Sequence, residues 1–259
     1  EAMKNGVNVT TTVSGSLANS GEWVNNTYRL GYSADVAGTG SLNRFYQGEM
    51  MEIISYPERL STLDTRKIHT YLALKYGITM GAGAQYVNST SAVVYDPTLY
   101  ANRVFGMGRD SGTSLHQRQA RSSDDILANT NAIVTIGNNE IISTTNNNAN
   151  GNSLTNDGAY FVSGDNNGSI ATWTATGAPV DHLRLTRIWK ATETGTINER
   201  VRVRLTTSRL PAIPAGKVVV MIVTTAGSFA TANYVNPNAL IVKMSKVGSD
   251  WECNHNFPS

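Results

Sequence analysis

Asp110 stands beside Arg109, with Arg118 and the pair Asp124-Asp125 further along. Acids and guanidinium groups at such spacing can do one of two things. They can build a charged site, or they can fix a loop through Arg–carboxylate forks, for which the planar guanidinium is suited. The second is favoured, so Arg109, Asp110 and Arg118 are expected to form a structural network. Glycoside hydrolysis needs two carboxyl groups facing each other at a set distance. Nothing in the placing of Asp96, Asp110 and Asp165 sets up such a pair. Asp165 and Asn167 carry oxygens that suit a Ca²⁺ ion. However, Asp165-Asn166-Asn167-Gly168 is far shorter than an EF-hand loop and has no closing acid. A plain hairpin turn explains it better, because Asn and Gly tolerate positive φ. Apart from that candidate Ca²⁺, no cofactor is expected.

Arg184, Arg187 and Lys190, followed by Arg200, Arg202 and Arg204, form the one basic concentration. If the two segments pair as strands, Arg200, Arg202 and Arg204 share a face that could meet an anionic polysaccharide or an acidic partner. A solvated sheet face is the plainer account. Trp173, Trp189, Tyr100 and Tyr160 could stack on sugar rings; alternating neighbours place them, Trp189 above all, in a core. His69, His116, His182 and His255 lack zinc-ligand spacing. Cys253 has His255 two residues on, but no base-and-orienter set that would make it a nucleophile. No catalytic constellation emerges, and an enzyme is not expected.

Composition limits what could carry these side chains. A length of 259 residues suggests about two domains at ~150 residues each. Charged residues are 15%, well under the ~25% of ordinary globular proteins. Asn, Thr, Ser and Gly fill the gap, as in many secreted β proteins. The scarcity of Lys and Glu argues against a helix-rich fold. A net charge of +2 gives nucleic-acid binding no support. A single cysteine excludes an internal disulfide. No apolar run nears the ~18 residues of a membrane span. The chain starts at Glu1 without a signal peptide and ends at Ser259, so it is expected to be a piece of a longer or processed protein.

The elements that must position these residues are mostly strands. Val7, Val9 and Val13 alternate with polar residues, and Trp23 to Tyr32 gives a second strand. Gly38 to Ser41 is a turn. Met50 to Tyr56 is apolar on both faces and reads as a strand covered on both sides, stopped by Pro57. Ser61 is a good N-cap, Asp64 completes a variant capping box, and Gly77 ends the helix. Leu60, Ile68, Tyr71 and Leu72 would be its inward stripe. Beyond a connection at Gly81–Ala84, candidate strands are Ala92–Tyr95, Arg103–Gly108, Ala132–Gly137, Ala159–Gly164, Leu183–Ala191, Glu199–Thr207, Lys217–Thr224 and Leu240–Val247. Val218 to Val223 is apolar throughout and reads as central. The run 146–152 is an Asn-rich loop.

The stretch Glu49-Met50-Met51-Glu52-Ile53-Ile54-Ser55-Tyr56, with Leu60-Ser61 and Tyr71-Leu72-Ala73-Leu74-Lys75-Tyr76-Gly77-Ile78-Thr79, resembles a known family. It is similar to the closing strand and trailing helix of a concanavalin A-like, laminin-G-like jelly roll found in large secreted proteins of Bacteroidota. In those proteins an uncharacterised β domain follows. The likeness continues through Tyr86–Ser89, Val94–Asp96, Asn102–Asp110, Leu115–Gln119, Gly164–Gly168 and Arg187–Lys190. The resemblance implies an extracellular or cell-surface module exported by the type IX route, adhesive or structural in role. The early jelly-roll strands have no counterpart, so a sugar- or calcium-binding rim on them does not carry over.

The expectation is therefore an all-β chain. Residues 1–80 would be the C-terminal part of a jelly-roll-like sandwich with one short α-helix near residues 61–76. Residues 81–259 would be a second β-sandwich. The expected function is a noncatalytic extracellular or cell-surface module, an adhesin segment or structural subunit of a surface assembly. Its partners would be other chains or domains of that assembly, with neither nucleic acid nor a membrane span. The alternative is a carbohydrate-binding module of a larger glycan-processing protein.

Overall fold

A computed structural model describes residues 2–4, 7–9, 32–33, 44–45, 48–81, 83–122, 132–141, 150–175, 182–197, 200–225 and 239–257. The chain divides into two compact units, one of Glu1–Val9 with Ser61–Ser259, the other of Thr10–Leu60. In the first unit β1 (Ala2–Lys4) and β2 (Val7–Val9) form an antiparallel pair. The second unit holds the pair β3 (Tyr32–Ser33) and β4 (Arg44–Phe45). Residues 23–31 of the expected second strand, Val13, the turn at Gly38–Ser41, Asp124-Asp125 and the loop residues 146–149 lie outside the described residues.

The stretch expected to be a doubly covered strand differs from expectation. Residues 49–56 have no ladder partner among the described residues, and Met50, Met51, Ile53, Ile54 and Tyr56 are exposed. Apolar residues on both faces only make a buried strand if other elements cover both faces.

The helix α1 (Thr62–Tyr76) is capped as expected. The Ser61 hydroxyl accepts from the Asp64 N–H at 3.1 Å, and Gly77 closes it at φ 66°, with its N–H on the Ala73 carbonyl. Its buried face is Thr70, Ala73 and Leu74 rather than the expected Leu60, Ile68, Tyr71 and Leu72. Small residues win there because a hairpin approaches closely: the Val87 N–H donates to the Thr70 hydroxyl at 2.9 Å. That hairpin is β5 (Tyr86–Val87) with β6 (Val93–Tyr95).

Seven strands then build most of two sheets: β7 (Asn102–Asp110), β8 (Leu115–Gln117), β9 (Gln119–Arg121), β10 (Val134–Asn138), β11 (Tyr160–Asp165), β14 (Trp189–Thr194) and β15 (Val201–Leu205). Two-residue strands β12 (Thr174–Ala175) and β13 (Leu183–Arg184) pair with each other. The chain continues as β16 (Val220–Val223), β17 (Leu240–Lys243), β18 (Ser245–Val247) and β19 (Asp250–His255). One sheet runs β18-β19-β15-β10-β9 and the other β14-β11-β7-β8; β16 and β17 make a separate ribbon.

The fold is an all-β sandwich with one helix. Phe105, Met107 and Phe161 of the four-stranded sheet share a core with Ala120, Val134, Ile136, Val201, Val203 and Cys253 of the five-stranded one. The opposite face of the four-stranded sheet is buried too. Val104, Tyr160 and Val162 pack with Ala73 and Leu74 of the helix and with Tyr86, Val94 and Tyr95 of the hairpin. The helix expected to close residues 1–80 thus covers strands that follow it, and the unit boundary falls between Leu60 and Ser61. Two expected strands are also redrawn. Leu183–Ala191 is broken into β13 and β14, and the apolar run at Val218–Val223 is half of a two-stranded ribbon rather than a central strand.

Burial on both faces makes one glycine indispensable. Gly108 lies opposite Tyr160, and a Cβ there would stand 2.4 Å from the Tyr160 Cδ1. The Gly108→Ala variant must displace a fully buried ring, and overpacking of this kind costs about 1–3 kcal/mol. The expected result is a lowered urea midpoint with an unchanged slope, measured by tyrosine and tryptophan fluorescence.

Candidate functional site

Asp165, expected as a turn residue or Ca²⁺ ligand, is fully buried at the end of β11. The ladder between β7 and β11 is interrupted between Ser163 and Asp165, and Arg103 opposite takes φ 46°. A bulge inserts a residue and re-aims its neighbours. Here it turns the Arg103 guanidinium onto the carboxylate in a fork: Nε donates to Oδ2 at 2.7 Å and Nη2 donates to Oδ1. Arg187 adds a second cation, its Nε 3.8 Å from Oδ1. The Asn167 backbone N–H donates to Oδ1 at 2.7 Å, and the Asn167 side-chain oxygen accepts from Arg103 at 3.0 Å. Gly164 is the residue that permits this approach, since a Cβ there would meet the Tyr100 carbonyl at 2.4 Å and the Tyr95 hydroxyl at 2.7 Å.

Both oxygens of Asp165 therefore receive donors, and two guanidinium groups face it. A calcium ion at that position would meet their positive charge, so the arrangement does not fit the ion. Among the described residues, no group of three or more His, Cys, Asp or Glu side chains is placed to hold a metal.

The expected network of Arg109, Asp110 and Arg118 is taken apart by strand alternation. Asp110 is buried, and its Oδ2 accepts from the Ser89 N–H at 2.8 Å and the Tyr160 hydroxyl at 2.6 Å. Its Oδ1 accepts from the Gly112 N–H at 3.1 Å. Burial raises the carboxyl pKa, but these donors outweigh it and hold the group below its usual value. Burial pushes the Tyr160 phenol far up, so it remains a donor. Arg109 turns to the other face of β7. There its Nη1 donates to the carbonyls of Leu154 at 2.9 Å and Thr155 at 3.1 Å. Arg118 Nη1 donates to the Asn150 carbonyl at 3.0 Å. The two arginines brace the 150–155 segment, and Asp110 braces the turn at Ser89 and Gly112.

The basic face is also altered by the fold. β14 and β15 lie in different sheets, so Arg184, Arg187 and Lys190 do not join Arg200, Arg202 and Arg204 on one surface. β15 pairs instead with β19, a strand absent from the sequence expectation, in a register that sets Arg204 opposite Glu252. The buried Glu252 carboxylate takes the Arg204 Nε at 2.6 Å, and the Arg202 Nη1 stands 3.5 Å from its other oxygen. Arg204 Nη2 also donates to the Ile141 carbonyl at 3.2 Å. Of the three arginines only Arg200 is exposed. The signal for β19 is present in the sequence, since Trp251 and Cys253 alternate with Glu252 and Asn254.

The aromatic candidates are packed rather than presented. Tyr160 is buried, Trp189 packs against the sandwich core, and the Trp173 indole N–H donates to the Pro211 and Ala212 carbonyls at 3.2 and 3.1 Å. Tyr100 is half-buried and its carbonyl accepts from the Tyr95 hydroxyl at 2.8 Å. The His116 Nε2 lies 3.2 Å from the Ser153 hydroxyl. Burial and the nearby charges of Arg118 and Arg109 favour the neutral form of that imidazole. Cys253 lies in the core, and burial pushes its thiol up to about 11.

The chain belongs to the family described as Domain of unknown function (DUF8202), whose model matches residues 64–252. That span takes in the helix as well as the sandwich. Searches of curated proteins and of solved structures found no match.

Two outcomes follow from this geometry. The Arg103→Met variant leaves Asp165 buried with Arg187 as its remaining cation, a loss of about 3 kcal/mol by analogy with broken buried pairs. Chemical denaturation should show it, while Arg103→Lys recovers only part because an ammonium lacks the fork. Cys253 should be silent toward a thiol reagent at pH 8 in the native chain. After guanidinium unfolding it should titrate as one thiol per chain.

Proposed function

We propose that this chain is a noncatalytic module of a secreted or cell-surface bacterial protein, acting as an adhesin segment or structural subunit. The resemblance of residues 49–79 and 102–119 to Bacteroidota surface proteins supports export by the type IX route. The low charge and the Asn- and Thr-rich composition suit such a setting.

The observation that carries the reading is the employment of the carboxylates. Asp110 and Asp165 receive internal donors on both oxygens. Asp96 bonds Gln85 at 3.0 Å and the Thr98 N–H at 3.1 Å, and side-chain hydrogen bonds from Thr98 and Gln85 lower its pKa to about 2. A general acid must hold a proton near working pH, and these three groups are built to stay ionised or to brace a turn.

The test is a panel of neutral and acidic polysaccharides offered to the purified chain, read for both binding and hydrolysis. No hydrolysis is expected. Turnover that is lost in Asp96→Asn, Asp110→Asn or Asp165→Asn would overturn the reading. Retention on a glycan without turnover, abolished by Trp173→Ala or Arg200→Ala, would replace it with a carbohydrate-binding module.

A further inference from the structure

Exposed apolar side chains are not scattered over this chain. Fourteen large ones are exposed among the described residues, and nine of them fall in two places. Met50, Met51, Ile53, Ile54 and Tyr56 lie in the extended stretch 49–56. Val218, Leu240, Ile241 and Val247 lie on or beside the β16–β17 ribbon. Isolated exposed apolar residues need no explanation, but concentrated ones mark interaction surfaces.

Both places also have backbone to offer. Residues 49–56 have no ladder among the described residues. Among those residues β16 and β17 pair only with each other, so each carries one unpaired edge there. The inner face of the ribbon is already used: Val219 and Met244 are buried in the sandwich core, and Met221 and Val242 pack against it. The outer face and the edges remain.

The charges of the two places are opposite. The stretch carries Glu49, Glu52 and Glu58, with no Lys or Arg between Gly48 and Glu58. The ribbon is flanked by exposed Lys217, Lys243 and Lys246. Lysines on an edge prevent like edges from pairing with each other, and three glutamates do the same for the stretch. Each surface is thus set against itself and matched to the other.

We propose that residues 49–56 of one copy of this chain add as a strand to the β16–β17 ribbon of a second copy. Backbone hydrogen bonds would complete the ladder, the apolar side chains would cover one another, and the Glu and Lys side chains would set orientation. The contact is heterologous, because the two surfaces differ, so each copy retains one surface of each kind and assembly is open-ended rather than closed at two. The inference rests on the reading of the chain as a structural subunit and names its partner.

Sedimentation velocity over a concentration series of the full chain tests it. The expected result is a species distribution that grows beyond dimer with concentration and recedes at about 1 M salt, where the Debye length is about 3 Å. Glu49→Lys/Glu52→Lys and, separately, Lys243→Glu/Lys246→Glu should each weaken association by at least about tenfold, since juxtaposed like charges are strongly unfavourable. Mixing the two variants should restore association. A monomer at every concentration, a closed dimer, or no recovery in the mixture would each overturn the proposal. None of these bears on hydrolysis, so the noncatalytic reading stands or falls separately.

Discussion

An ionised carboxylate inside a protein must be surrounded by donors, and Asp165 meets that demand by drawing on three distant parts of the chain. Arg103 stands at the start of β7, Asp165 closes β11, and Arg187 precedes β14. These are three neighbouring strands of the four-stranded sheet. An apolar contact could slip by a residue at modest cost, whereas a bidentate fork to a buried acid cannot, because the misplaced charge would be left without partners. The neighbouring turn extends the lock. Asn166 Oδ1 accepts from the Gly168 and Ile188 N–H groups at 3.0 Å each, and Arg187 Nε donates to the Gly168 carbonyl at 2.9 Å. The short polar run at 165–168 is therefore less a surface turn than the pin that sets strand register.

Registering that sheet matters because it is the shared wall of two cores. Successive residues of β11 serve them alternately: Tyr160 and Val162 face the helix and hairpin, and Phe161 faces the other sheet. A one-residue slip would exchange the two sets. The same dual burial explains why the tyrosine hydroxyls inside this wall are engaged. The Tyr160 hydroxyl reaches Asp110, the Tyr95 hydroxyl reaches the Tyr100 carbonyl, and the Tyr86 hydroxyl accepts from the Met80 N–H at 3.0 Å. Tyr86 and Tyr95 meet edge to face at 5.9 Å. Each ring provides apolar area to the core while its oxygen satisfies a backbone or carboxylate group that would otherwise be stranded.

Much of this architecture is legible in the residues, and the misreadings share a cause. Period-two alternation locates strand segments from Val93 to Val247, and the Ser61 and Gly77 caps place the helix, because those signals are local. The inward face of the helix is not legible, because Ile68 and Tyr71 are larger than Thr70 and Ala73. Which face is buried depends on how near the Tyr86–Tyr95 hairpin comes, and no helical periodicity encodes that distance. The basic face looks free in sequence because its counter-charge, Glu252, lies 48 residues beyond Arg204. Arg109 and Asp110 look like one network, yet adjacent residues in a strand point to opposite faces. Asp165 stands out in sequence but with the wrong partner, since oxygen ligands for a cation and acceptors for a guanidinium look alike there.

Asp110, Asp165 and Glu252 are buried while Met51, Ile53, Val218 and Ile241 are exposed, which inverts the usual disposition of polar and apolar groups. The buried acids give registry rather than chemistry, since every one of them is held by donors in the same chain. The exposed apolar residues gain nothing for an isolated molecule, and on strand-like backbone they invite association. Such a surface is tolerable where another surface covers it. Charge then becomes the means of choosing which one, because apolar contact is indifferent to partner and a like-charged approach is not. A chain low in charge overall, with glutamates and lysines set around the two exposed apolar strands, has kept charge where selection of a neighbour requires it.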